Sequence, residues 1–364
     1  MDKNQPIPEY QLFIHPADVS ELRKDIWYDD PVAAKLTVNK KKYAIGIAYR
    51  GSHIRDLRKK SYAVEFYKPS KYQQATAVHW NAEFKDPSLL RNKLSFDFFT
   101  DIGCLAPAAR FVFLKINGKN EGLYLEIEAV DECFLANRKL PKGAVFYAVD
   151  GDANFSLMSD LRKEVKESLA LGYEQKCGTE QEHEYLQEFI YIINTVSRED
   201  FEAEIAKYVH VDQYLRWLAG VVLMQNFDGF VHNYALYRNG ETGLFEVIPW
   251  DYDATWGRDV EGEVMEEDYL RIEGFNTLTA RLLDVRAFRG RYRELLEELL
   301  DSKFTVAYIE PKIQALHASI RPYIEKDPYE KDNLAVFDQE PAFIYAYIEA
   351  RGNYIREQLH LLDE

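Results

Sequence analysis

Apolar and polar residues alternate through the first third of the chain, and apolar residues recur at helical spacing through most of the remainder. Val32–Val38 and Tyr43–Tyr49 form two such runs on either side of polar Asn39–Lys42, which predicts a β-hairpin. Arg50-Gly51-Ser52-His53 interrupts the pattern, and the basic stretch from Arg55 to Lys60 leads into a third strand at Tyr62–Tyr67. Asp86-Pro87-Ser88 reads as a helix start, after which Leu90, Leu94, Phe98 and Ile102 share one face. Phe111–Ile116 and Leu123–Ile127 flank Asn117-Gly118, a strong turn signal between two further strands. The order β-β-β-α-β-β is therefore expected between residue 30 and about residue 130.

Downstream, Glu180–Asn194 and Asp200–Val209 are amphipathic, and Asp212 is placed to cap a helix carrying Leu215, Leu218, Val222 and Met224. Strand-like pieces are expected only at Asn233–Arg238 and Leu244–Trp250, joined by a polar turn. Helices are expected again over Leu278–Leu300, Val306–Glu325 and Pro341–Leu362, and loops at Pro141–Gly143, Val149–Asn154 and the acidic Asp259–Asp268. The pattern as a whole predicts an α+β fold. Residues 1–130 would form a sheet-rich N-terminal lobe with one helix, and residues 131–364 a mainly helical C-terminal lobe.

Composition narrows the partners. Lys and Arg total 45 against 61 Asp and Glu, a formal charge of −16. That sign argues against nucleic acid, whose phosphates are bound by dense Lys/Arg surfaces, and suits a basic protein partner steered by an acidic surface. Solubility alone accounts for the acid equally well. The three cysteines have no CxxC spacing and the eight histidines are scattered, so neither a disulfide framework nor a structural zinc is expected. No secretory signal is visible in the first thirty residues, and no apolar run approaches the ~20 residues of a membrane span. A cytoplasmic protein with no membrane partner is the expectation.

The densest candidate chemistry lies in Gln225-Asn-Phe-Asp228-Gly-Phe-Val-His232-Asn233, followed by Pro249-Trp-Asp251-Tyr-Asp253. Phosphoryl transfer from ATP needs Mg²⁺ held by hard oxygen ligands, a carboxylate that orients the attacking hydroxyl, and cations on the phosphates. Asp228 followed five residues later by Asn233 has the Asp-x-x-x-x-Asn spacing of a kinase catalytic loop. Asp228 would be the catalytic residue and Asn233 a metal ligand. Asp251, at the end of an apolar strand, would hold the metal from the other side, and Asp253 points the same way if the chain stays extended there. Taken singly, these residues also read as polar turns; their order along the chain favours a kinase. Lys60, with Lys59 as the alternative, would reach the ATP phosphates, unless both belong to a solvated basic edge. No GxGxxG loop is present, and Arg50 with nearby backbone amides would serve the phosphates instead.

Four segments carry a resemblance. They are Arg50-Gly-Ser-His-Ile-Arg-Asp-Leu-Arg-Lys-Lys-Ser-Tyr62, Gly122-Leu-Tyr-Leu-Glu-Ile-Glu128, Asn226-Phe-Asp228 with His232-Asn233-Tyr and Tyr237-Arg, and Ile248-Pro-Trp-Asp251-Tyr-Asp253-Ala-Thr-Trp-Gly257. Together they resemble the CotH family of spore-coat protein kinases, over roughly residues 30 to 360. The resemblance implies a divergent, atypical protein-kinase-like fold that uses ATP with Mg²⁺ or Mn²⁺ to phosphorylate Ser/Thr of coat proteins during sporulation. It implies a protein of the mother-cell cytoplasm and then of the spore coat, with Ser-rich, basic coat-protein substrates. It carries the catalytic role to Asp228, metal ligation to Asn233 and Asp251, and the ATP lysine to Lys60. Glu128 falls where the lobes would join, at the hinge. Asp97, on the Leu90–Ile102 helix, is the candidate acidic partner of the lysine, against a plain surface position.

Two other readings remain open. Asp251-Tyr-Asp253-Ala-Thr255 fits the Asp-x-Asp-x-Thr of a haloacid-dehalogenase-like phosphohydrolase, which would need further parallel strands downstream. A catalytically weak pseudokinase that scaffolds the coat is the other.

Overall fold

The computed structural model describes residues 6–67, 72 and 74–363, apart from the side chain of His53. The chain divides into two compact units, one made of Met1–Lys93, Pro107–Ala129 and Glu310–Phe343, the other of Leu94–Ala106, Val130–Ile309 and Ile344–Glu364.

The first unit is built on a closed barrel of seven strands in the order β1-β2-β3-β4-β5-β7-β6. These are β1 (Glu9–Ile14), β2 (Val32–Val38), β3 (Lys41–Arg50), β4 (Ser61–Phe66), β5 (Ala77–Asn81), β6 (Ala109–Ile116) and β7 (Lys119–Glu128). Helix α1 (Pro16–Lys24) follows β1, and α2 (Arg91–Asp101) starts in this unit and ends in the second. Both anticipated hairpins form. Asn39 and Lys40 at the first turn, and Asn117 and Gly118 at the second, all have positive φ, the geometry that matches strand twist in a two-residue turn. Closure depends on β1, which pairs antiparallel with β2 and parallel with β6. The Asn117 side chain completes the join, accepting from the Ile14 amide and donating to the Ile14 carbonyl, both at 2.9 Å. Tyr10, Leu12, Leu36, Ile45, Val64 and Trp80 fill the interior.

The second unit contains a four-stranded antiparallel sheet in the order β11-β10-β8-β9. It consists of β8 (Gly143–Ala148), β9 (Tyr173–Cys177), β10 (Tyr234–Asn239) and β11 (Phe245–Pro249). The helices are α3 (Glu132–Asn137), α4 (Glu182–Thr195), α5 (Phe201–Ile205), α6 (Val211–Met224), α7 (Thr277–Asp284) and α8 (Arg286–Ser302). Next come α9 (Val306–Ile324), α10 (Leu334–Phe337) and α11 (Glu340–Gln358), of which α9 and α11 cross between the units' segments. Helix α6 is buried on nearly every side, and Gly220 lets the Phe99 ring approach to where a Cβ would stand only 2.5 Å away.

The α+β class expected from the sequence is the class found, with strands concentrated toward the N-terminus and helices toward the C-terminus. Several elements differ. Strands β1, β5, β8 and β9 were not anticipated. The Asp200–Val209 helix is only Phe201–Ile205, and Leu278–Leu300 is two helices broken at extended Val285. Asp212 does not cap α6. His210 does, its ring nitrogen accepting from the Gln213 amide at 3.3 Å, while Asp212 binds Arg216 and Arg291. Among the described residues, no helix is long and apolar enough to cross a membrane.

Candidate phosphoryl-transfer site

The Asp228 loop begins where α6 ends. Gln225 takes the left-handed conformation (φ 56°) at the C-cap and turns the chain out of the helix. The Asn226 side chain then ties two segments together: its Oδ1 accepts from Gly229 N at 3.0 Å, and its Nδ2 donates to the Asp251 carbonyl at 3.3 Å. A single 3₁₀ turn, Asp228–Phe230, presents Asp228 half-exposed at its first position. His232 folds back over it, its amide donating to the Asp228 carbonyl at 3.0 Å and its Nε2 lying 3.8 Å from Asp228 Oδ2.

The second segment is brought in by sheet register. Tyr234 of β10 faces Pro249 of β11, so the residues just outside the pair, Asn233 and Trp250, also meet; Trp250 N donates to the Asn233 carbonyl at 3.1 Å. Asn233 and Asp251 both have φ of 59°. A non-glycine residue in the left-handed region costs roughly 1–2 kcal/mol, and such residues concentrate at functional sites. Beyond Asp251 the chain is anchored in the core. Tyr252 is buried with its ring 5.0 Å from that of Phe99, Thr255 Oγ1 donates to the Tyr252 carbonyl at 2.7 Å, and Trp256 Nε1 donates to Ser95 Oγ at 2.9 Å.

Asp228, Asn233 and Asp251 therefore sit on two loops that share direct hydrogen bonds, and all three side chains are half-exposed. Asp253 is half-exposed as well. The chain is not extended at Asp251, so the argument that would point residues 251 and 253 the same way does not apply here. Among the described residues, no group of three or more His, Cys, Asp or Glu is arranged to hold a metal. A mixed Asp/Asn donor set open to solvent still fits Mg²⁺, which keeps several waters and takes phosphate oxygens beside one or two protein carboxylates.

The candidate phosphate-binding residues lie in the first unit. Lys59 is fully buried, and its Nζ binds Asp327 Oδ2 at 2.9 Å; that oxygen also accepts from Leu123 N at 2.8 Å. Gly122 is required beside it, since a Cβ there would come within 2.2 Å of Asp327 Oδ2. Lys60 is half-buried and donates to the Arg55 carbonyl. Arg50 closes β3 opposite Ser61, next to Lys60, and donates to Asn81 Oδ1. Glu128 ends β7 and accepts from Ala108 N at 3.0 Å. The acidic partner of a lysine here is Asp327, bound to Lys59; Asp97 belongs to the second unit and is half-buried. Sequence reasoning missed Asp327, and nothing local marks it, because it stands 268 residues from its partner. The phosphohydrolase reading loses its support: β11 lies in an antiparallel sheet, no strand follows it among the described residues, and Thr255 is buried.

Comparison with known proteins identifies a family and several similar chains. The family model described as CotH kinase protein matches residues 47–355. Inner spore coat protein H of Bacillus subtilis (strain 168) is 61% identical over 99% of this chain and 100% of its own length. The inner spore coat protein H-like protein of the same organism is 31% identical over 77% of this chain and 79% of its own. Among solved structures, a chain of the Shewanella oneidensis MR-1 HipA–HipB–operator DNA complex is similar at 15% identity and TM-score 0.40, covering 99% of this chain and 75% of that one. The Helicobacter pylori proinflammatory kinase CtkA is similar at 9% identity and TM-score 0.32, covering 90% and 93%.

Proposed function

The chain belongs to the CotH kinase protein family, and from that premise we propose that it is an atypical Ser/Thr protein kinase of the spore coat. It transfers the γ-phosphoryl group of ATP to coat proteins, and it resides first in the mother-cell cytoplasm and then in the coat. The observation that carries this reading is the joining of the Asp228–Asn233 loop to Asp251 through the Asn226 side chain and the Asn233–Trp250 backbone bond.

Each residue then has a role that its chemistry suits. Asp228 receives the proton of the substrate hydroxyl and orients that oxygen for attack. Asn233 and Asp251 would hold Mg²⁺ or Mn²⁺, and the ion, when bound, would neutralise charge on the phosphates. Lys60 and Arg50 hold the phosphates in place of a glycine-rich loop. Lys60 suits this better than Lys59, whose side chain has an acidic partner in Asp327 but carries no exposed surface.

The test is transfer from labelled ATP with Mg²⁺ or Mn²⁺ to a Ser-rich basic protein, in the wild type and in Asp228→Asn and Asp251→Asn. A loss on the order of a hundredfold or more is expected in each variant, with unchanged thermal stability, because these groups act mainly in the transition state. Undiminished transfer in both would remove the assignment. Absence of transfer in the wild type, with coat assembly intact, would favour the pseudokinase scaffold.

A further inference from the structure

We propose that Phe227 and Tyr269, with the carboxylates of Glu266, Glu267 and Asp268, form the ledge on which the protein substrate docks. The ledge selects segments in which an aromatic residue and Lys or Arg flank the acceptor hydroxyl. The inference rests on the kinase reading above and assigns that site its peptide specificity.

The ledge starts one residue from the proposed reacting carboxylate. Phe227 is 44% exposed and Tyr269 55% exposed, and their rings lie 5.7 Å apart. Contiguous apolar surface, unlike a single exposed side chain, marks interaction sites, and these two rings adjoin one another. The Phe227 ring is also held in place. Phe275 packs against both Phe227 (4.6 Å) and Phe230 (4.7 Å). Gly274, at φ 62°, admits the Phe230 ring to where a Cβ would stand 2.4 Å away.

The strap that carries Tyr269 is tied at both ends to the Asp228 loop. At one end Gln225 Nε2 donates to the carbonyls of Glu266 (3.0 Å) and Glu267 (3.3 Å). Arg351 Nη1 adds a third bond at 2.6 Å, to Glu267 O. At the other end Asn276 Nδ2 donates to Phe230 O at 3.0 Å. These bonds use backbone oxygens of Glu266 and Glu267, so the carboxylates of Glu266, Glu267 and Asp268 remain exposed on a fixed strap. A rigid pair of aromatic rings bordered by three carboxylates is complementary to a basic segment with an aromatic anchor. Lys or Arg would meet the carboxylates and stack over the rings, and the anchor would pack on them.

The experiment is fluorescence anisotropy of labelled Ser-containing peptides on the whole protein without nucleotide, paired with steady-state transfer to the same peptides. The reference peptide carries Lys and one Tyr near the serine; two controls replace the Tyr by Ala or the Lys residues by Glu. The protein variants are Tyr269→Ala, Tyr269→Phe and the triple Glu266→Gln/Glu267→Gln/Asp268→Asn, which leaves the strap's backbone bonds in place.

Tyr269→Ala is expected to weaken binding of the reference peptide about fivefold to tenfold, and to raise KM by a similar factor with kcat within about twofold. It should bind the Ala control as the wild type does, and Tyr269→Phe should match the wild type throughout. The triple variant should bind the reference peptide more weakly and with a shallower dependence on salt. Equal binding of all three peptides by the wild type, or unchanged binding in both Tyr269→Ala and the triple variant, would overturn the ledge. Selective binding without any transfer would overturn the kinase reading and leave the ledge standing.

Discussion

Lys59 and Lys60 are adjacent in sequence and opposite in circumstance. The Lys59 ammonium has no exposed surface and is matched to Asp327, whose second bond goes to the Leu123 amide, whereas Lys60 is half-buried beside Arg50. Removing one partner of a buried ion pair leaves the other charged and unsolvated, at a cost of about 3–5 kcal/mol. Lys59→Met should therefore destabilise the protein by roughly 3 kcal/mol in denaturant titration. Lys60→Met should leave stability nearly unchanged while lowering phosphoryl transfer. The reverse pattern would exchange their roles. The sequence put Lys60 first and left Lys59 open as the alternative, because the burial that separates them depends on Asp327, which no local pattern connects to position 59. Asp228, Asn233 and Asp251 stand out as candidates because their spacing and order are local properties. Their backbone conformations do not, since positive φ at Asn233 and Asp251 follows from the β10–β11 register and the exit from each strand.

At the level of elements, the segment around Asp327 packs carboxylates closely. Glu330 is buried, and burial raises its pKa, offset in part by the Lys59 charge; Glu121 is raised by burial as well. A carboxyl whose folded pKa lies above its unfolded value favours folding in its protonated form. That contribution is complete below the unfolded pKa and is lost as pH rises through the folded one. Glu330→Gln should accordingly raise the melting temperature at neutral pH. The gain should shrink as pH falls and vanish below about pH 4.5, the ordinary value for a glutamate side chain, where both side chains are neutral. An equal gain at every pH would mean that the charge of Glu330 is not the cause. Other elements explain what the hydrophobic pattern disclosed. The β2–β3 and β6–β7 hairpins were legible because turn residues and alternation coincide. Strand β1 was not: Tyr10, Leu12 and Ile14 alternate, but the run is six residues long and its pairing with β6 crosses about a hundred positions. Strand β8 lies directly between two stretches of turn residues that masked it.

For the molecule as a whole, the sequence conveyed class and family better than topology. The excess of strands before residue 130 and helices after it was visible, and the four motif segments pointed to the family that the comparisons support. Barrel closure was not visible, because it depends on β1. Nor was the assignment of Glu310–Phe343 to the first unit, since burial of Asp327 and Glu340 against Lys59 and Arg91 joins residues distant in sequence. The charge of −16 acts at this scale, as a long-range field that salt screens.

Oxygen ligands on the two joined loops would bind Mn²⁺, and Mn²⁺ reports on them directly. Electron paramagnetic resonance of free Mn²⁺ should show uptake by the wild type that increases sharply when ATP is added. That nucleotide-dependent uptake should fall at least tenfold in Asp251→Asn and in Asn233→Ala. Uptake with ATP that is identical in the wild type and both variants would contradict the account.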